Sequence, residues 1–435
     1  MLAGNDLTML KAPSVTETYY HATAHSATTS KRLQGECVTD VCVVGGGLTG
    51  ISAALNLAER GFSVIVLEAE RVGHGASGRN GGQIVSGYSC DMARIREVVG
   101  TEASKILWKL GREAINDVDR RIEQHAICCD RRHGYFFAAT NQRQLNNLYE
   151  IAEDWSKLYG YDMTVPVARD EVSAYVGTEA YVGGLSDPGG GHLHPLNYLF
   201  GLRRAAEGAG VLVFENSPVI QIQEGDRPVV HTSKGLVRSR FLVLAGNAYL
   251  GSLVPILARR IARVTSFVSA TAQLAIELAR RALPTNAAVA DCNTALDYFR
   301  ISADRRLVFG TGAKYSSGEP ANLRRLLARR ITQVFPYLAH LPLEYIWSGY
   351  IGITVNRIPD FGRVGPTIYH AQGFSGHGVA LTGLAGKLIA ETLAGDAGRF
   401  DLFSGINHRQ FPGGPFRTPA LILAMAYYKL RDRLG

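Results

Sequence analysis

Between Val38 and Glu68 lies the pattern that most narrows the folds open to this chain: an apolar run, a glycine-dense turn, a helical repeat and a second apolar run ending in an acid. Val38–Val44 is near-continuously apolar apart from Thr39 and Asp40, as suits a strand buried on both faces of a parallel sheet. Gly45, Gly47 and Gly50 form a G-x-G-x-x-G turn, and Leu48, Ile51, Leu55 and Ala58 follow at helical spacing. Gly61 stands where a helix closes, and Ser63–Leu67 reads as the next strand. In such a turn Gly45 permits the tight bend, Gly47 lets backbone approach a pyrophosphate, and Gly50 lets helix and sheet pack closely. Amides at the helix start then receive phosphate charge. Glu68 follows Gly50 by 18 residues and is placed to accept hydrogen bonds from ribose hydroxyls. An acid there repels a 2′-phosphate, which disfavours NADP.

Two further segments bear on the ligand. Gly73–Gln83 reads GHGASGRNGGQ, directly after the ribose acid, where ordinary NAD dehydrogenases continue β-α-β. A loop of small residues suits backbone running along an extended flavin, with Ser77, Arg79 and Asn80 as donors, although a surface loop has the same composition. Near the other end Ile368–Ala371 reads as a strand, and Gly373–Gly378 leads into a helix with Leu381, Leu384 and Leu388 on its apolar face. The positive end of that helix, aimed at a flavin pyrimidine ring, would favour the reduced cofactor. His377 would sit over that edge or simply cap the helix.

Between these units the patterning predicts helices near 93–125, 141–158 and 195–208, and strands at Tyr135–Ala139, Val211–Phe214, Val219–Gln223, Val229–Thr232, Phe241–Ala245, Asp297–Ser302 and Arg306–Gly310. Ser186–His194 (SDPGGGHLH) is expected to be a loop, residues 1–37 a surface arm, and Ala420–Tyr428 a terminal amphipathic helix. Glycine-strand-helix units at both ends predict an α/β (α+β) fold. A Rossmann-like domain is expected from discontinuous segments 1–92, 183–254 and 346–435. An inserted substrate domain of mixed sheet and helices would take 93–182 and 255–345.

Composition excludes several classes. The net charge of +8 comes in short pairs such as Arg259-Arg260 rather than in a tract, so no nucleic-acid partner is expected. None of the six cysteines forms a C-x-x-C, and no His/Cys/Asp cluster has metal spacing, so no metal is expected. The start lacks a secretory pattern, and no apolar run is long enough to span a bilayer, so the expectation is a soluble cytoplasmic protein.

Val41–Gly50, the GASGRNGGQ loop, VLAGNAYLG at Val243–Gly251 and the GFSGHGV turn resemble the D-amino-acid-oxidase-like superfamily of FAD enzymes. SDPGGGHLHPLN, DCN at Asp291–Asn293 and LDYFR at Leu296–Arg300 are similar to its gamma-glutamylputrescine oxidase branch. The resemblance implies non-covalent FAD, an amine substrate, molecular oxygen as acceptor, and release of an aldehyde, ammonia and hydrogen peroxide. It implies FAD contacts at Gly45, Gly47, Leu48, Thr49 and Gly50, at Glu68, and at Ala76, Ser77, Arg79, Asn80, Gly81, Gly82 and Gln83. Further contacts are implied at Val219, Ala245, Gly246, Gly352, Thr354, Gly373, Gly376, His377, Gly378 and Val379. Some sarcosine-oxidising relatives hold flavin through a cysteine; the closing turn here carries Ser375, Gly376 and His377 instead.

Hydride transfer from the amine-bearing carbon needs neither nucleophile nor metal, so catalysis is expected to be positioning and electrostatics. A glutamyl carboxylate calls for an arginine fork. Arg300 is the leading choice, against an ordinary surface arginine. Tyr298 and Trp347 are read as pocket walls or plain core, and Lys314 as an aid to oxygen reduction or an exposed lysine. Two rivals stand beside this reading: a glycine, sarcosine or D-amino-acid oxidase or dehydrogenase, and a flavin-bearing binding protein without amine turnover.

Overall fold

The computed structural model describes residues 17–25, 29–314 and 319–412, with 419 and 423 as single positions, and the side chains of 313 and 314 lie outside that description. The predicted terminal helix at Ala420–Tyr428 falls almost wholly outside the described residues.

Two sheets are interleaved along the chain. The first runs Asp360–Val364, Ile368–Gln372, Gly235–Leu244, Gly35–Val44, Val64–Leu67, Leu212–Phe214, and Val219–Gln223 and Val229–Thr232 join it beside Gly235–Leu244. Its five strands from Ile368–Gln372 to Leu212–Phe214 are parallel, and Asp360–Val364 is an antiparallel edge. Val41–Val44 and Val64–Leu67 are fully buried, as strands covered on both faces must be. The earlier part of the first strand is different: Val38 is 76% exposed. Two helices cover this sheet, Leu48–Ala58 and Gly378–Leu393. They lie so close that a Cβ on Gly386 would stand 2.5 Å from the Ala53 amide nitrogen.

The second sheet runs Leu343–Thr354, Ile261–Thr271, Leu307–Lys314, Asp297–Ile301, Ala288–Asp291, Arg132–Ala139, Gly183–His192, Gln83–Ile84, with Val165–Val167 paired alongside. Every pairing is antiparallel except Ala288–Asp291 with Arg132–Ala139. The α/β class read from the alternation is therefore the observed one.

Local expectations met two corrections and one refinement. The helix near 93–125 is two helices, Met92–Val99 and Thr101–Gln124, broken at Gly100, whose φ of +83° leaves the helical region. SDPGGGHLH is not a loop, because Ser186–His192 belongs to the strand Gly183–His192. Its glycines exist because side chains cross it: a Cβ on Gly184 would meet Phe136 at 2.4 Å, and one on Gly190 would meet Tyr135 at 2.7 Å. The described part of the N-terminal arm is mostly exposed, as expected, but it is anchored by buried residues. Tyr19 and Tyr20 open a short helix, Tyr19–Thr23, and both are buried in the main core.

Candidate active site

Parallel strands deliver their carboxyl ends to one region: Val44 runs into Gly45, Leu67 into Glu68, Leu244 into Ala245 and Gln372 into Gly373. That is where an open α/β sheet binds ligands. Gly45 has φ +112°, and a Cβ there would press on the Ala245 carbonyl carbon at 3.0 Å. A Cβ on Gly50 would fall 1.9 Å from the Gly45 carbonyl oxygen, so this glycine serves helix–strand packing, as its spacing predicts. Gly47 occupies the N-cap of Leu48–Ala58 and offers no side chain to the first amides. The Leu48 amide donates to Ser77 Oγ at 2.9 Å, tying the second glycine loop to the first. Glu68 Oε2 accepts from the Gly46 amide at 2.6 Å and Oε1 from the Glu70 amide at 3.0 Å. Burial pushes its carboxyl above the usual range, and those two amides work against that rise.

The opposite end is built on the turn before Gly378–Leu393. Gly373 has φ +70° and donates its amide to Asn247 Oδ1 at 3.0 Å. The Ser375 amide donates to the Gly352 carbonyl at 3.0 Å, and Ser375 Oγ accepts from the Thr354 amide at 3.2 Å. These bonds fix the turn and point it at the helix start. His377 is the N-cap residue, yet its side chain makes no cap hydrogen bond. The first-turn amides stay open, and the positive end of the helix faces whatever lies before it. Burial, then the Arg357 charge, brings the His377 imidazole down to about 4, so at neutral pH it is uncharged.

One cavity of about 620 Å³ joins the two ends. Of the residues expected at the cofactor, Gly45, Gly47, Leu48, Thr49, Glu68, Ala76, Ser77, Arg79, Asn80, Gly81, Gln83, Val219, Ala245, Gly246, Gly376, His377, Gly378 and Val379 line it. Gly50, Gly82, Gly352, Thr354 and Gly373 do not; they shape the backbone that does. A Cβ on Gly352, for instance, would sit 2.3 Å from Asn247 Oδ1. The rest of the wall includes the aromatic residues Tyr135, Phe137, Tyr249, Tyr298 and Tyr350. Tyr298 is thus a wall residue, its hydroxyl 3.0 Å from Ser266 Oγ. Burial raises it to about 12, which keeps it protonated.

Two expected site residues lie elsewhere. Arg300 is buried and donates through Nε to the Gly81 carbonyl at 2.7 Å and through an Nη to the Tyr20 hydroxyl at 3.2 Å. It stands behind the glycine loop and does not line the cavity, which removes it as a carboxylate fork there. Trp347 is fully buried, donates its indole N–H to the Arg79 carbonyl at 2.9 Å, and supports that loop instead of walling the cavity. The Lys314 side chain lies outside the described residues. Several wall residues escaped the sequence reading: Asn247, Tyr249, Asp291, Tyr350 and Arg357. Asn247, Tyr249 and Asp291 did lie in the VLAGNAYLG and DCN segments that carried the resemblance, and Asn247 takes a φ of +45°, which asparagine adopts more readily than most residues.

The residues fit FAD. A dinucleotide needs backbone walls where its diphosphate passes, and Gly45 and Gly47 supply them; a Cβ on Gly47 would already strike Ser77 Oγ at 2.8 Å. It needs a ribose acceptor, met by Glu68, and a second positive helix end, met at Gly378. Among the described residues no group of three or more His, Cys, Asp or Glu is placed to hold a metal, and no helix is long and apolar enough to cross a membrane.

Residues 40–392 match the family described as FAD dependent oxidoreductase. Gamma-glutamylputrescine oxidoreductase of Escherichia coli (strain K12) is 44% identical over 422 residues, covering 97% of this chain and 99% of that protein. A probable oxidoreductase, OrdL, of Haemophilus influenzae is 40% identical over 91% of this chain and 92% of its own length. Among solved structures, glycine oxidase from Geobacillus kaustophilus superposes with a TM-score of 0.71 at 21% identity, over 85% of this chain and 99% of that one.

Proposed function

The chain belongs to the family of FAD dependent oxidoreductases, and from that membership we propose that it oxidises the terminal C–N bond of gamma-glutamylputrescine or a closely related gamma-glutamylated polyamine. The observation that carries this reading is the 44% identity to the Escherichia coli gamma-glutamylputrescine oxidoreductase, which runs through nearly the whole of both chains. The balanced reaction is R–CH2–NH2 + O2 + H2O → R–CHO + NH3 + H2O2. FAD, when bound, supplies the acceptor for the two electrons that leave the C–H bond beside nitrogen. We propose that it is held without a covalent bond.

The chain's own part is orientation and charge. Glu68 holds the ribose, and the amides at the start of Leu48–Ala58 that follow Leu48 hold the diphosphate. The start of Gly378–Leu393 places positive potential at the redox end; with His377 neutral, the helix amides supply that potential. Tyr135, Phe137, Tyr298 and Tyr350 form a water-poor wall, which favours the neutral amine over its ammonium form. The imine left behind takes up water and releases ammonia. We propose that Lys314 promotes oxygen reduction, so Lys314→Met should slow reoxidation by air.

Anaerobic addition of gamma-glutamylputrescine should bleach the flavin within seconds, with putrescine, sarcosine and D-amino acids at least about tenfold slower. Peroxide formed in air at one equivalent per turnover would mark oxygen as the acceptor. If D-amino acids or sarcosine reduce the flavin fastest, the polyamine reading is wrong. If no amine reduces it, amine oxidation itself is wrong.

A further inference from the structure

A second cavity, of about 330 Å³, lies on the far side of the glycine loop. Its wall includes Arg132, Arg280, Arg300 and Arg305, with Asp130 as the one acid. None of the four arginines enters an ion pair among the described residues. Arg300 is the telling member. It is 2% exposed, a depth at which a guanidinium ordinarily requires a carboxylate, yet its partners are a carbonyl and a phenol. Those two bonds use two of its five N–H donors. Beside it His192, also 2% exposed, gives Nε2 to the Asn286 carbonyl at 2.9 Å and leaves Nδ1 unpartnered, as is Asn286 Oδ1. Burial and the Arg300 charge push His192 down to about 3, so it is neutral and its free nitrogen is an acceptor.

We propose that this cavity binds a small anion bearing carboxylate or phosphate groups together with a hydroxyl. The guanidinium groups of Arg300 and the rim arginines take the charge, and the hydroxyl satisfies the His192 and Asn286 acceptors. The site is separate from the cavity of the proposed reaction, but it is tied to it. Arg300 also holds the Gly81 carbonyl, and His192 pairs in register with Gln83, so the C-terminal end of the glycine loop rests on its wall. Occupancy of the site therefore bears on the loop that lines the cofactor cavity.

Isothermal titration of the FAD-loaded protein at low salt with citrate, and separately with inorganic phosphate, tests this. Saturable one-to-one binding of either is expected, and which one binds more tightly identifies the anionic group. The double variant Arg132→Ala/Arg280→Ala alters rim residues away from the cofactor cavity and should weaken that binding at least tenfold without loss of flavin. A flavin difference spectrum should appear in parallel with binding. Absence of binding by both probes, or binding unchanged in the double variant, overturns the site. Binding with no spectral change overturns its link to the cofactor loop. Since no amine is involved, these outcomes are distinct from failure of the proposed function.

Discussion

The indole N–H of Trp347 donates to the Arg79 carbonyl at 2.9 Å, and the Arg79 guanidinium donates back to the Ser348 carbonyl at 3.1 Å. This reciprocal pair locks the loop at Gly73–Gln83 onto the strand Leu343–Thr354. Trp347→Phe keeps most of the ring but leaves the carbonyl short of its donor. An unsatisfied buried acceptor costs about 1–3 kcal/mol, so urea unfolding of the holoprotein should shift by that amount and flavin should dissociate faster. A variant as stable as the wild type would mean that the bond does not hold the loop.

Glu68 reaches the cavity with one oxygen on the Gly46 amide and the other on the Glu70 amide. Hydrogen bonds to a charged group contribute roughly 1.5–3 kcal/mol. Glu68→Ala should accordingly raise the FAD dissociation constant about 10- to 100-fold, measured by flavin retained after dialysis. Glu68→Gln, which still accepts, should fall between the two. Equal retention by all three proteins would exclude a ribose contact.

Much of this arrangement was legible in the sequence, for a physical reason. A dinucleotide turn is local: Gly45, Gly47, Gly50 and Glu68 act through backbone within one β-α-β unit, so their spacing carries their roles. The same holds for Gly376–Val379 at the second helix. Arg300 and Trp347 could not be placed that way. Residue type predicted a carboxylate fork and an aromatic wall in the pocket, but both are turned toward the back of the glycine loop by contacts with Tyr20 and Arg79, far away in the chain. Tyr20 itself lay in a segment too polar to suggest burial. Asp291 and Tyr350 became wall residues through strand pairing across the second sheet, which no short pattern encodes.

Asp291 gives the chain a pH dependence of its own. Burial, reinforced by the charge of Asp297, raises its carboxyl to about 7, against roughly 3.9 in an unfolded chain. The folded state thus keeps this proton where the unfolded state has lost it. The sign follows: stability declines as pH rises from about 4 to about 7 and is flat for this group above that. Asp291→Asn cannot titrate, so its stability relative to the wild type should improve by on the order of a few kcal/mol across that window. Denaturant titrations of both proteins at pH 5 and pH 8 check it; parallel curves would show that Asp291 is ionised throughout.

Tyr298 is held in the cavity wall by two glycines. Directly across the sheet it pairs with Gly310, where a Cβ would fall 2.0 Å from Tyr298 Cζ, and on its other flank a Cβ on Gly81 would fall 2.7 Å from Cε2. The ring therefore lies over one glycine and against another, and neither position tolerates a methyl group without moving it. Gly310→Ala should displace the ring and cut kcat/KM for the amine by about tenfold or more, while flavin content stays near the wild-type level. Displacement predicts more than a loss: it predicts coupling. With the ring already removed by Tyr298→Ala, adding Gly310→Ala meets open space and should cost little further, giving an interaction energy of about 1 kcal/mol or more in the double-mutant cycle. Strict additivity of the two changes would mean that Gly310 acts through the strand alone and that the position of the Tyr298 ring does not govern turnover.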